Sequence, residues 1–121
     1  LNLAHMGSQG KITPFGPEWK GRRQKLLNLV RRKENVYTDF SCRALTPDYH
    51  DELAGTIRGS GPSTEKLKRR ILFGTDFMIN LLWMNSYNKY VHSFHCTQAI
   101  TGAEKEAFGR TNPEAFLFKG A

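Results

Sequence analysis

Cysteine is nearly missing from this chain: Cys42 and Cys96 are the only two among 121 residues. They lie far apart and form no Cys-x-x-Cys pair, so they build neither a disulfide framework nor a zinc ribbon. Reduced thiols in a cytoplasmic setting are the expectation. Long apolar runs are missing too. None approaches the roughly 20 residues needed to cross a bilayer, so no membrane association is expected. The opening Leu1-Asn2-Leu3-Ala4-His5 has no basic start and no extended apolar stretch, unlike a signal peptide. Nor is there a phosphate-binding loop: Gly7-Ser8-Gln9-Gly10 lacks the Gly-Lys-Ser/Thr ending and the dinucleotide spacing, and reads as a loop after a strand.

Acidic residues are scarce, with 11 Asp+Glu against 18 Lys+Arg, a net charge of +7 and a pI near 9.7. The basic residues gather in Lys20 to Lys33 and Lys66 to Arg70, on segments that read as outer helices. A solvated basic face is the expected reading, without a nucleic-acid partner. The competing reading is a basic nucleic-acid-binding module, whose affinity would fall steeply with salt. It lacks an RNA-binding signature, a zinc finger or a basic zipper.

What is present is ordinary globular composition, 39% hydrophobic and 24% charged, in a chain long enough for one core. Three β-prone runs stand out, Leu1–His5, Asn35–Phe40 and Arg70–Phe77, each ending in small or polar residues. Between the first two, Trp19, Leu26, Leu27 and Val30 fall at helical spacing and predict an amphipathic helix over Glu18–Glu34, with Pro17 at its start. Between the second and third, helices are expected at Pro47–Arg58 and Ser63–Arg70. Ser63-Thr64-Glu65 reads as the second one's cap, and Gly59-Ser60-Gly61-Pro62 as the break between them. Ile79 to Ala99 reads as loop then helix. Two separate short helices, Gly102–Gly109 and Pro113–Phe118, follow, with Phe116, Leu117 and Phe118 as a closing hydrophobic clasp.

Strands alternating with helices predict a parallel sheet. Ligand sites in such sheets lie at the carboxyl ends of the strands. His5, Asp39 and Asp76 recur at those ends, 34 and 37 residues apart, about one βα unit each. All three therefore belong at one edge.

Ile71-Leu72-Phe73-Gly74-Thr75-Asp76-Phe77 resembles the eighth strand of the amidohydrolase superfamily, in its amidohydrolase-related branch. Leu1-Asn2-Leu3-Ala4-His5-Met6-Gly7-Ser8 is similar to that branch's sixth strand, and Asn35-Val36-Tyr37-Thr38-Asp39-Phe40-Ser41 to its seventh. Gly109-Arg110-Thr111-Asn112-Pro113-Glu114-Ala115-Phe116 resembles its closing helix. The four segments cover nearly the whole chain, in order and at the right spacing. The resemblance implies an α/β fold, a partial (β/α)8 TIM barrel supplying strands six to eight with their helices. Residues 1–121 would then be the C-terminal portion of one barrel domain in a longer chain, which a start at Leu rather than Met also suggests. The family's first-strand His-x-His pair and its fourth- and fifth-strand ligands have no counterpart here. Met78-Ile79-Asn80 also departs from relatives that place Pro soon after the eighth-strand Asp.

The chemistry implied is hydrolysis of a C–N or C–O bond of a small-molecule substrate by metal-activated water. Asp76 would be metal ligand and general base, and His5 would orient the water or stabilise developing negative charge. The divalent metal would be zinc by default, with manganese or iron suited to the same ligand types. Some relatives decarboxylate instead. Without the resemblance, Asp76 reads equally well as a helix cap and His5 as a structural histidine. Asp39 either touches substrate or anchors the neighbouring loop, and stays outside the metal site. His92 and His95, three apart, fit a packing helix better than a metal site, and His50 reads as an exposed helix residue without a special role. Trp83 and Tyr87 either wall a pocket or simply pack. An isolated piece of a barrel is expected to be inactive, with open sheet edges that invite association.

Overall fold

Val36, Tyr37, Thr38, Asp39 and Phe40 are all buried. A run with no solvent face belongs in the middle of a parallel sheet, and that is where it lies. The computed structural model describes residues 1–7, 18–41, 49–82 and 85–118. Among them is a three-stranded sheet in the order β1 (Asn2–Leu3), β2 (Tyr37–Asp39), β3 (Ile71–Leu72), with both pairings parallel. Register is set by Asn2 opposite Tyr37 and by Thr38 opposite both Leu3 and Ile71.

The strands are shorter than the β-prone runs suggest. The β1 ladder stops because His5 and Met6 turn into the left-handed region, φ 59° and 49°. His5 is therefore on a turn, Ala4–Gly7, rather than in the strand. On the far side of β3 the carbonyl of Ile71 accepts from Asn112 Nδ2 at 2.7 Å, and the N–H of Phe73 donates to the carbonyl of Phe108 at 2.8 Å. The chain's own C-terminal helix thus covers this edge, contrary to the expectation that it lies open.

Helix α1 (Glu18–Arg32) buries Leu27 and Val30 and ends on Arg31 and Arg32, whose charge suits the helix C-terminus. Arg23 pairs with Glu52 and donates to Thr56 Oγ1 at 2.8 Å, tying α1 to α2 (Tyr49–Ile57). The proposed start of α2 at Pro47-Asp48 lies outside the described residues, as do Pro17, Ser8 to Gly10, Cys42 and Trp83. Helix α3 (Pro62–Lys68) begins one residue earlier than expected. Pro62 occupies its first turn, and the carbonyl of Gly61, not the Ser63 side chain, receives the N–H groups of Thr64 and Glu65 at 3.1 Å. Gly61 manages this with φ 115°, which disfavours any side chain. The second basic cluster is largely spoken for: Lys66 and Arg70 pair with Glu34, and Lys68 with Glu65 and Glu104.

After β3 come a single helical turn, α4 (Phe77–Asn80), and α5 (Tyr87–Cys96), which buries Tyr90 and Phe94. The last two helices, read as separate from the sequence, are continuous. Helix α6 (Gly102–Glu106), opened by a Thr101/Glu104 capping box, runs through a π-helical turn, Ala107–Thr111, into α7 (Asn112–Phe118). In a regular α-helix the Pro113 ring presses on the carbonyl four residues back. The widened turn takes up that conflict without ending the helix.

Phe40 sits at the centre of the core, its ring 5.6 Å from those of Phe73 and Phe94 and 5.8 Å from that of Phe108. Phe73 and Phe94 stack at 4.3 Å. The expected clasp is only partly formed: Phe116 packs on Tyr37 at 4.9 Å, whereas Leu117 and Phe118 stay 65% and 68% exposed.

Candidate active site

Parallel strands bring their carboxyl ends to one edge, so the residues just after β1, β2 and β3 become neighbours. His5 is in the turn after β1, Asp39 is the last residue of β2, and Asp76 follows β3 by four positions. Their association is direct. His5 Nε2 lies 3.6 Å from Asp76 Oδ2, an ion pair whenever the ring is protonated. Asp76 has φ 45°, a left-handed backbone that aspartate tolerates better than most residues. Its Oδ2 is buried and has no hydrogen-bond partner.

Asp39 is the hub on the opposite side of His5. Its Oδ1 accepts the main-chain N–H of His5 at 3.0 Å and the hydroxyl of Ser41, and its Oδ2 accepts from Asn2 Nδ2 at 2.7 Å. The Ser41 hydroxyl in turn lies 2.7 Å from His5 Nδ1. Of the two sequence readings of Asp39, anchoring the neighbouring loop is the one this geometry expresses. Ser41 and Asn2 escaped the sequence reading, and only the period of two between Asp39 and Ser41 hints that they act together.

Gly74 holds the β3 exit against this group. A Cβ there would come within 3.1 Å of Ser41 Cβ and 3.4 Å of Asp39 Cβ. The Tyr90 hydroxyl donates to the carbonyl of Gly74 at 3.1 Å, so α5 braces the same segment from the core.

The other histidines lie apart. His50, expected on an exposed face, is 6% exposed and buried in α2, with its Nε2 unpartnered. Burial, followed by the charge of Lys105, holds its pKa below the usual value, and Asp51 pulls weakly the other way. The sequence misleads here because Asp48, Asp51 and Glu52 suggest a wet face, whereas His50 falls on the Tyr49–Leu53 side. His92 and His95 lie on the exposed side of α5, away from buried Tyr90 and Phe94, and His92 touches Cys96 Sγ at 3.4 Å. Tyr87 packs edge-on against Phe77 at 5.3 Å. Among the described residues no three His, Cys, Asp or Glu side chains are grouped so as to hold a metal ion. No helix among them is long and apolar enough to cross a membrane.

A parallel αβ sheet carrying His, Asp and Ser at its carboxyl edge marks this as an α/β protein with the polar edge on which enzymes of that class build their sites. A family model described as amidohydrolase matches residues 1–119, and the chain belongs to that family. No curated protein and no solved structure matches it. The family is one of metal-dependent hydrolases and decarboxylases built on a TIM barrel, and the small parallel sheet with its helices is consistent with part of one.

Proposed function

We propose that residues 1–121 form the C-terminal portion of a metal-dependent amidohydrolase-type barrel, supplying its sixth, seventh and eighth strands, and that the complete enzyme hydrolyses a C–N or C–O bond of a small molecule. One observation carries the reading: His5 and Asp76 face each other 3.6 Å apart at the carboxyl edge, with Asp76 Oδ2 buried and without a hydrogen-bond partner. A buried carboxylate oxygen without a donor is costly unless something outside the described atoms satisfies it. A divalent metal suits that oxygen, and zinc is the first choice for a His and carboxylate donor set. Among the described residues Asp76 is the ligand proposed, and the remaining ligands belong to the strands that precede β1 in such a barrel.

When bound, a metal of this kind makes water nucleophilic at neutral pH. The chain's own residues do the rest. The Asp76 carboxylate accepts a proton from the attacking water. The His5 ring, held at Nδ1 by Ser41, presents Nε2 toward the same point and orients the water or the substrate oxygen through it. Asp39 and Ser41 are buried, so the hydrogen bond that holds the ring at Nδ1 is shielded from bulk water.

The test uses the complete enzyme. Asp76→Asn is expected to lower turnover at least about a hundredfold and to lower the metal content measured by elemental analysis. Chelation followed by metal re-addition should remove and restore activity in the unaltered protein. Full turnover by Asp76→Ala would end the proposal. Release of CO2 from a carboxylated substrate, with no hydrolysis, would move the enzyme to the decarboxylases of the same family.

A further inference from the structure

Two short contacts meet at one hydroxyl. Ser41 Oγ lies within hydrogen-bond distance of Asp39 Oδ1 on one side and 2.7 Å from His5 Nδ1 on the other. Each contact needs a proton between its two heavy atoms, because lone pairs at that distance repel. The hydroxyl has one proton to give, and a carboxylate has none. Asp39 already accepts the His5 main-chain N–H and the Asn2 amide, which fixes it as an acceptor here. A charged carboxylate outcompetes a neutral imidazole for the Ser41 proton. The second proton must therefore come from the ring, on Nδ1.

We propose that Ser41 is the positioning residue of the site, relaying the acceptor character of Asp39 so that the neutral His5 ring carries its proton on Nδ1 and turns the bare Nε2 toward Asp76. This deepens the proposed function and rests on it for the role of Nε2, while the proton on Nδ1 is argued from the hydrogen bonds that join the ring to Ser41 and Asp39. The arrangement runs against the bias of free histidine, whose neutral ring prefers the proton on Nε2, so the protein must enforce it. Burial makes the enforcement effective: Ser41 is 5% and Asp39 8% exposed, so water does not offer the hydroxyl another partner. Gly74 completes the device, since its missing Cβ is what lets the β3 exit press on Ser41 Cβ.

The decisive measurement is nitrogen NMR of the complete protein labelled with 15N-histidine, whose two ring shifts report directly which nitrogen carries the proton. His5, assigned by its loss in His5→Gln, should show a protonated Nδ1 and a bare Nε2. Ser41→Ala should shift the population toward the Nε2–H form and lower kcat about ten- to a hundredfold with KM little changed. Ser41→Thr, which keeps the hydroxyl, should restore the unaltered pattern. A wild-type ring protonated on Nε2 overturns the proposal outright, whether or not Ser41→Ala folds. So does an Nδ1–H signal that persists in a folded Ser41→Ala protein. If the tautomer behaves as stated but turnover needs neither metal nor Asp76, the positioning stands and the proposed reaction falls.

Discussion

The Asp39 carboxylate accepts the main-chain N–H of His5 at 3.0 Å, joining two residues that lie 34 positions apart in the chain. This bond holds His5 in a left-handed turn that an L-residue with a bulky side chain does not adopt freely. The strand register brings them together: Leu3 pairs with Thr38, so the residues that follow each meet beyond the end of the ladder.

Replacing one carboxylate oxygen by an amide is therefore expected to matter. Asp39→Asn removes acceptor capacity from a group with three donors, and should destabilise the complete protein by about 1–3 kcal/mol. Urea unfolding measures this, and an unchanged midpoint would show that the turn does not depend on the carboxylate.

Gly74→Ala is a steric probe of the same edge. The added methyl meets Ser41 Cβ at 3.1 Å, tighter than ordinary van der Waals contact. Overpacking of this kind costs about 1–3 kcal/mol. Turnover of the complete enzyme should fall with it, since Ser41 must move away from His5. Wild-type activity in the variant would show that the contact yields without disturbing the ring.

Asn112 is buried, and its Nδ2 donates to the carbonyls of Lys68 and Ile71, each at 2.7 Å. Asn112→Ala strands both carbonyls and should lower stability by roughly 1–3 kcal/mol. Asn112→Asp removes the donor and sets negative charge against two carbonyl oxygens, so it should be worse than alanine. Thermal melts of the two variants check the ranking.

His50 makes stability depend on pH. Its folded pKa lies below the ordinary 6.5 because burial and then Lys105 disfavour the charged ring. The unfolded chain therefore binds more protons between the two pKa values, and stability rises with pH across that window. The contribution is fully present above the unfolded pKa and is lost as pH falls from about 6.5 toward the lower folded value. Melting temperature should drop over that range, and His50→Phe should flatten the drop. A slope that survives the substitution would assign it to other groups.

Much of the architecture was legible in the residues. Leu27 and Val30 at helical spacing predict α1, and a helix starting at Gly102 is where α6 begins. The recurrence of His5, Asp39 and Asp76 at strand ends placed all three at one edge, because parallel strands share a direction. Misreadings came where a local signal met a tertiary one. Gly102–Gly109 and Pro113–Phe118 read as two separate helices, yet a π turn joins them. His50 reads as solvated among acidic neighbours, yet α2 turns it inward. Leu117 and Phe118 read as a clasp, yet only Phe116 finds a ring to pack on.

The sequence by itself determined which side chains the edge carries and in what order, since alternation of strands and helices fixes direction and spacing. Only the tertiary structure decided how those side chains are wired. Ser41 lies between Asp39 and His5 because of register, left-handed turns and the missing Cβ at Gly74. These are facts of three dimensions, set by contacts between segments more than thirty residues apart, and no local pattern in the chain encodes them.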